Sequence, residues 1–235
     1  MRRRAAALWR ALLGDRCHLC GSAELPPGRL LCTPCRADLP WLSGPRCPRC
    51  AVPLPGAGTD TLCGRCLRRP PRFARAHALC HYAEPLRGLI AAAKFRADLT
   101  ALRVLRDLLV EAALARRETL PPVLLPVPLH PARLRRRGYN QALELVRPLA
   151  RHGWTLAPHL ARRTAHRPPQ SGLGSRAARR RNVRGVFRLA DPAPPPAVLL
   201  VDDVMTTGAT LDELAGCLRA GGVGRVEVLT LARAE

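Results

Sequence analysis

From residue 73 onward the apolar positions switch between two periods. Phe73–Tyr82 places apolar residues at alternate positions, which predicts a strand with one buried face that carries Cys80. Leu86, Leu89, Ile90 and Ala93 then fall three and four apart, as on one face of a helix ending near Lys94-Phe95-Arg96. Leu99, Leu102, Leu105, Leu109 and Ala112 predict a second helix, and Val123–Val127 a short strand bounded by prolines. Asn140–Arg151 reads as a helix stopped near Gly153, and the arginine-rich segment 162–185 as a mobile loop. Pro192–Pro196 leads into a strand, Val198–Val201. A helix follows with a buried stripe of Leu211, Leu214, Ala215 and Leu218, opened by a capping box at Thr210-Leu-Asp-Glu213 and closed by Gly221-Gly222. Val226–Leu231 is the last strand. Strands alternating with helices predict an α/β fold, a parallel sheet flanked by helices.

Before residue 70 the information lies in cysteine spacing instead. Eight of the ten cysteines form four C-x-x-C pairs, Cys17/Cys20, Cys32/Cys35, Cys47/Cys50 and Cys63/Cys66, separated by 11, 11 and 12 residues. Two such pairs supply four thiolates to a tetrahedral ion at about 2.3 Å, the chemistry of a structural zinc site. Disulfides do not suit a cytosolic chain, and a redox C-x-x-C needs a βαβ setting rather than four tandem copies. Residues 14–70 hold too few apolar side chains to fold unaided, so metal must supply their stability. Spacing leaves the pairing open. Sequential pairs build two ribbons; a cross-braced arrangement, or one set without its metal, suits the same residues. His18 reads as a neighbour of its knuckle rather than a ligand, and Cys80 and Cys217 as core residues. Arg68-Arg-Pro-Pro-Arg72 reads as a linker, dividing the chain into a zinc-ribbon module over 1–72 and an α/β domain over 73–235.

Charge narrows the partners. Lys+Arg number 39 against 17 Asp+Glu, a formal net charge of +22, and Lys94 is the only lysine. A GC-rich coding bias accounts for arginine in place of lysine but not for the shortage of acids, so a nucleic acid is the expected partner. Aromatics, at 3%, leave little for a base-stacking platform. No apolar run reaches the roughly 18 residues of a membrane span. The start, Met1-Arg-Arg-Arg-Ala-Ala-Ala-Leu-Trp-Arg10, has a basic lead like a signal peptide, but Arg10 and Asp15 break its apolar run and no cleavage site follows. It is read as a short amphipathic helix, and the protein as cytoplasmic.

The segment Val198-Leu-Leu-Val-Asp-Asp-Val-Met-Thr-Thr-Gly-Ala-Thr210 concentrates the chemistry. A buried strand, two adjacent carboxylates at its C-terminal end and a small-residue loop opening a helix make a ligand site at the carboxyl edge of an α/β sheet. Asp202 and Asp203 suit the vicinal hydroxyls of a ribose 5-phosphate, directly or through magnesium. Thr206, Thr207, Gly208, Ala209 and Thr210 offer backbone N–H groups and hydroxyls to a phosphate at a helix N-terminus.

At every position this segment resembles the phosphoribosyl-diphosphate (PRPP) signature of type I phosphoribosyltransferases. The chain as a whole resembles one branch of that superfamily, the ComF family, which includes ComFC competence proteins and GntX-like proteins. The resemblance rests on the four knuckles, Tyr82-Ala-Glu-Pro-Leu-Arg-Gly-Leu-Ile90, Lys94-Phe95, Val127-Pro-Leu-His130 and Arg137-Gly-Tyr-Asn-Gln141. Arg163, Gln170, Arg176 and Arg181-Asn182-Val183 follow in order, so that it spans residues 17–231.

The resemblance implies a type I phosphoribosyltransferase-like sheet preceded by the zinc ribbon. Asp202 and Asp203 would hold the ribose, Thr206–Thr210 the 5-phosphate, and Pro128, Leu129 and His130 the pyrophosphate region. Arg133, Arg135, Arg136 and Arg137 would neutralise that charge, and 164–182 would close over the site. Structural zinc, and magnesium with PRPP, are the implied cofactors. His130 reads first as a loop-orienting residue, and Tyr139 and Asn140 as capping and packing residues. The chain ends at Glu235, directly after its last strand, leaving little material for a base-recognising lid. ComF proteins are associated with single-stranded DNA import in natural transformation. The implied function is therefore PRPP or ribose phosphate binding in support of DNA uptake, with single-stranded DNA and a competence helicase or other DNA-processing protein as partners. An active phosphoribosyltransferase on an unidentified acceptor is the alternative, with no catalytic residue assigned. A pure zinc-ribbon module is disfavoured, because a disused pocket would tolerate loss of either carboxylate.

Overall fold

The computed structural model of the chain describes residues 16–58, 60–165, 181–190 and 193–234. Two short helices, α1 (Thr33–Ala37) and α2 (Gly64–Arg68), lie in the cysteine-rich region. Next come β1 (Arg75–His81), α3 (Leu86–Phe95), α4 (Leu99–Leu114), β2 (Val123–Pro126), α5 (Pro131–Arg137) and α6 (Gln141–Val146). After a 3₁₀ turn over Arg147–His152 follow β3 (Thr155–Leu156), β4 (Ala161–Arg163), β5 (Phe187–Leu189), β6 (Ala197–Met205), α7 (Ala209–Ala220) and β7 (Arg225–Arg233). The predicted parallel sheet is present, in the order β1-β7-β6-β2-β3, with β4 and β5 forming a separate antiparallel pair.

Both faces of this sheet are covered, so its central strands are apolar on both sides. Leu199 and Val201 of β6 pack with α3, α4 and α6, a core that Leu31 and Leu39 of the cysteine-rich region also enter. Val198 and Leu200 point the other way, toward Leu211, Leu214 and Leu218 of α7 and Phe187 of β5. Adjacent strands β2 and β6 therefore send their following helices to opposite faces. Between their carboxyl ends lies the crevice where open α/β sheets bind ligands.

Several boundaries differ from expectation, each for an identifiable reason. β6 runs to Met205 rather than Val201, because β7 supplies ladder partners as far as Arg233. The carboxylates thus lie within a strand. The capping box at Thr210 does not form: α7 starts at Ala209, its N-cap is Gly208 at φ +73°, and no side chain caps it. Glu213 is drawn away by Arg72 at 2.8 Å and by the Gly185 N–H at 2.8 Å. The helix expected over Asn140–Arg151 changes to 3₁₀ at Arg147, where Pro148 lacks the N–H that an α-turn needs. Of the loop expected over 162–185, Arg162 and Arg163 instead pair with β5, while 166–180 lie outside the described residues, as does the proposed N-terminal helix. Leu99, expected in a buried stripe, begins α4 on the surface at 67% exposure. Cys80 is buried as expected, whereas Cys217 is only half-buried.

Candidate functional site

The eight knuckle cysteines gather into two sets, Cys17/Cys20/Cys32/Cys35 and Cys47/Cys50/Cys63/Cys66, with the four sulfurs of each within 4.8 Å of one another. Sequential pairing is therefore realised. A tetrahedron with bonds of about 2.3 Å has edges of about 3.8 Å. The Cys20–Cys32 and Cys50–Cys63 Sγ separations are 3.7 and 3.6 Å, so both sets fit zinc. Backbone N–H groups point at the ligating sulfurs, Cys32 N to Cys17 Sγ and Cys66 N to Cys63 Sγ, each at 3.4 Å. Burial opposes ionisation of the Cys17 thiol, yet the N–H groups of Cys20 and Cys32 prevail and bring it down to about 6. Cys35 is pushed up by the neighbouring Cys20 and Cys32 thiols. Four thiolates this close require a cation, which binds them and releases their protons. His18 is not in either set; its Nε2 lies 3.3 Å from Asp98.

At the β2/β6 crevice the two carboxylates have different environments. Successive strand residues face opposite sides of a sheet. Asp203, 5% exposed, turns toward α3, where Lys94 Nζ meets its Oδ1 at 2.7 Å. The single lysine of the chain is thus the counter-ion of the acid pair. Tyr139 fixes the end of α3 by donating its hydroxyl to the Ala93 carbonyl. Among the described residues Asp202 has no such partner; its Oδ1 accepts the Asp203 N–H at 2.9 Å. Burial, together with the Asp203 charge, raises its carboxyl to about 7, against the opposing pull of Lys94.

After β6 the chain makes a bend over Thr206–Gly208 before α7 begins. Gly208 sits at φ +73°, a conformation that disfavours any side chain. Thr207 is buried, and its Oγ1 accepts the Ala209 N–H at 3.3 Å, so this hydroxyl shapes the turn. No hydrogen bond among the described residues uses the N–H groups of Thr206, Thr207 and Gly208.

Across the crevice, His130 is the N-cap of α5, its Nδ1 accepting the Ala132 N–H at 3.2 Å. It orients the loop. Arg133 follows on α5, half-buried, and Asn140 ties the next turn to the end of β2 through the Val127 carbonyl at 3.1 Å while capping α6. Arg163 on β4 is 8% exposed, and its Nε has no hydrogen-bond partner among the described residues. Burial and the nearby Arg133 lower its basicity, while Asp202 works the other way, so these three charges share one electrostatic neighbourhood. Gln170 and Arg176 lie outside the described residues.

Two arginines that the sequence reading did not single out reach the bend from behind. Arg65 of α2 donates to the Thr207 carbonyl, and the buried Arg233 of β7 to the carbonyls of Met205 and Thr206. Both contacts are long-range, so no local motif announces them.

No described helix is long and apolar enough to cross a membrane. Residues 8–67 match the double zinc ribbon domain. The chain is 38% identical over 214 residues to competence protein F of Haemophilus influenzae, covering 87% of this chain and 90% of that protein. It is 39% identical over 194 residues to the DNA utilization protein YhgH of Escherichia coli K12, covering 80% and 83%. Competence protein ComFC of Bacillus subtilis is 25% identical over 225 residues, covering 89% and 86%. A double zinc ribbon joined to a parallel α/β sheet, with this likeness over nearly its full length, places the chain in the ComF family.

Proposed function

We propose that the β2/β6 crevice binds PRPP or ribose 5-phosphate and that the protein supports handling of single-stranded DNA during natural transformation. The observation that carries the ligand assignment is the bend 206–208: three successive backbone N–H groups without partners among the described residues, beside a carboxylate at a sheet switch point. The 5-phosphate lies against that bend and the first turn of α7, through Ala209 and Thr210, where the helix dipole favours an anion. The ribose hydroxyls meet Asp202 and Asp203, and magnesium arrives with the pyrophosphate. That pyrophosphate faces Arg133 and Arg163, whose Nε has no hydrogen-bond partner among the described residues. The zinc ribbon and the α/β domain divide the work near residue 72, in the cytoplasm.

The DNA half of the reading is supported by the names of the relatives and by charge. Arg69, Arg72, Arg181 and Arg184 line an open cleft that reaches the first turn of α7, beside the phosphate bend. Of these, Arg72 is neutralised by Asp212 and Glu213. Affinity for single strands should fall linearly with the logarithm of salt concentration. A DNA-processing protein, such as a helicase, is the expected further partner. A transferase reading is favoured by one observation, the Arg133/Arg163 pair placed where a departing pyrophosphate would need charge stabilisation.

The deciding experiment is thermal unfolding with and without PRPP and magnesium. Saturation to a hundred times Kd should add about 2.7 kcal/mol to stability. Asp203→Asn should abolish that increment. An unchanged melting curve for the wild type ends the pocket reading. Radiolabelled PRPP, incubated with and without single-stranded DNA, reports whether the ligand is consumed.

A further inference from the structure

Three consecutive peptide groups of the phosphate bend are held by two arginines, Arg65 of the second zinc ribbon and Arg233 of β7, which also bonds that ribbon. Arg65 Nη2 donates to the Thr207 carbonyl at 2.5 Å. Arg233 Nη1 donates to the Met205 carbonyl at 3.1 Å and the Thr206 carbonyl at 2.5 Å. The same guanidinium uses Nε to hold the carbonyl of Cys50, itself a ribbon ligand, at 2.8 Å. In a planar trans peptide the C=O and the following N–H point in opposite directions. Guanidinium groups that capture these carbonyls from the ribbon side therefore aim the N–H groups of Thr206, Thr207 and Gly208 away from the ribbon. Those are the three N–H groups with no partner among the described residues.

We propose that the second ribbon is a brace for the phosphate bend, with Arg65 and Arg233 as positioning residues, so that zinc at Cys47/Cys50/Cys63/Cys66 sets the affinity for a 5-phosphate. Arg65 lies between the ligands Cys63 and Cys66 on a helix of five residues. A helix that short has no stability of its own. Metal bound by Cys63 and Cys66 would hold both ends of α2 and so keep its arginine in place. Among the described residues the first ribbon makes no such hydrogen bond to the bend; its residues join the core on the α3/α4 side. Coupling of this kind is reciprocal: the ligand must tighten zinc at the second site by the factor by which zinc tightens the ligand.

This inference rests on the phosphate-binding reading above, and the test separates the two. Ribose 5-phosphate is titrated calorimetrically into zinc-loaded full-length protein, wild type, Arg65→Ala and Arg65→Lys. Absence of wild-type binding overturns the phosphate-binding reading and this inference with it. If wild type binds, Arg65→Ala should weaken affinity about tenfold and Arg65→Lys, which keeps one donor, should restore most of it. Equal affinities overturn the brace alone. At one ribose 5-phosphate concentration, amide exchange at 206–208 should slow in wild type and less so in Arg65→Ala, while β6 stays equally protected in both; equal slowing also overturns it. In competition with a zinc chelator, ribose 5-phosphate should protect one of the two zinc ions about tenfold, and protection of neither overturns the coupling.

Discussion

Asp202 should make the ligand-free protein less stable than it need be. Its carboxyl is raised from the ordinary 3.8 to about 7, chiefly by burial and then by the Asp203 charge. A raised carboxyl holds its proton in the folded state after the unfolded chain has released it. The folded state is thus penalised progressively as pH rises from about 4 to about 7, and by a constant amount above that. At 1.36 kcal/mol per unit the full penalty is about 4 kcal/mol at pH 8, and at pH 5.5 about half as much. Asp202→Asn removes the titration but keeps a carbonyl oxygen for the Asp203 N–H. The variant should be more stable than wild type by up to about 4 kcal/mol at pH 8, or roughly 10 °C in Tm. Urea unfolding at pH 8 and pH 5.5, in zinc and without PRPP, should show the gap narrowing by about 2 kcal/mol toward acid. Any loss of zinc at the lower pH is common to both proteins and cancels in the difference. A gap that does not change with pH, or a variant less stable at pH 8, would refute the assignment. Gained stability with lost ligand binding is the pattern expected of a functional charge.

Lys94→Met should destabilise the protein by about 3–5 kcal/mol, because it leaves the Asp203 carboxylate buried without its cation. Asp203→Asn in the same chain should recover most of that loss, and additive effects in the double-mutant cycle would contradict direct pairing. Metal analysis should find two zinc ions per chain, falling to one in Cys63→Ser; an undiminished count excludes Cys63 from the second set. Gly208→Ala should weaken PRPP binding through strain at φ +73°, since the space around a Cβ there is adequate, and wild-type affinity would show that the bend relaxes freely.

Much of the architecture was legible because its signals are local. Helical and strand periods placed α3, α4, β1 and β7, and the cysteine spacing specified eight metal ligands. The boundaries that moved are those decided by neighbours. β6 extends through the acid pair because β7 is there to bond it, and the Thr210 capping box fails because Arg72 and Gly185, distant in sequence, take Glu213. The environment of the site was less legible. A lone lysine hinted at a special cation, but its bond to Asp203 spans 109 residues.

By itself the sequence determined which chemical groups exist and which stand next to one another along the chain: four cysteine pairs, two adjacent carboxylates, and a threonine- and glycine-containing bend before a helix. Those depend on covalent spacing and backbone preference, which short segments carry. Tertiary structure alone decided how the cysteine pairs combine, which carboxylate receives a cation and which is made a weaker acid by burial, and which arginines hold the bend. These depend on burial and on contacts between residues far apart in the chain, as with Arg65 and Thr207, 142 positions apart. Electrostatic energies are set by dielectric and distance, and neither is written in a linear sequence.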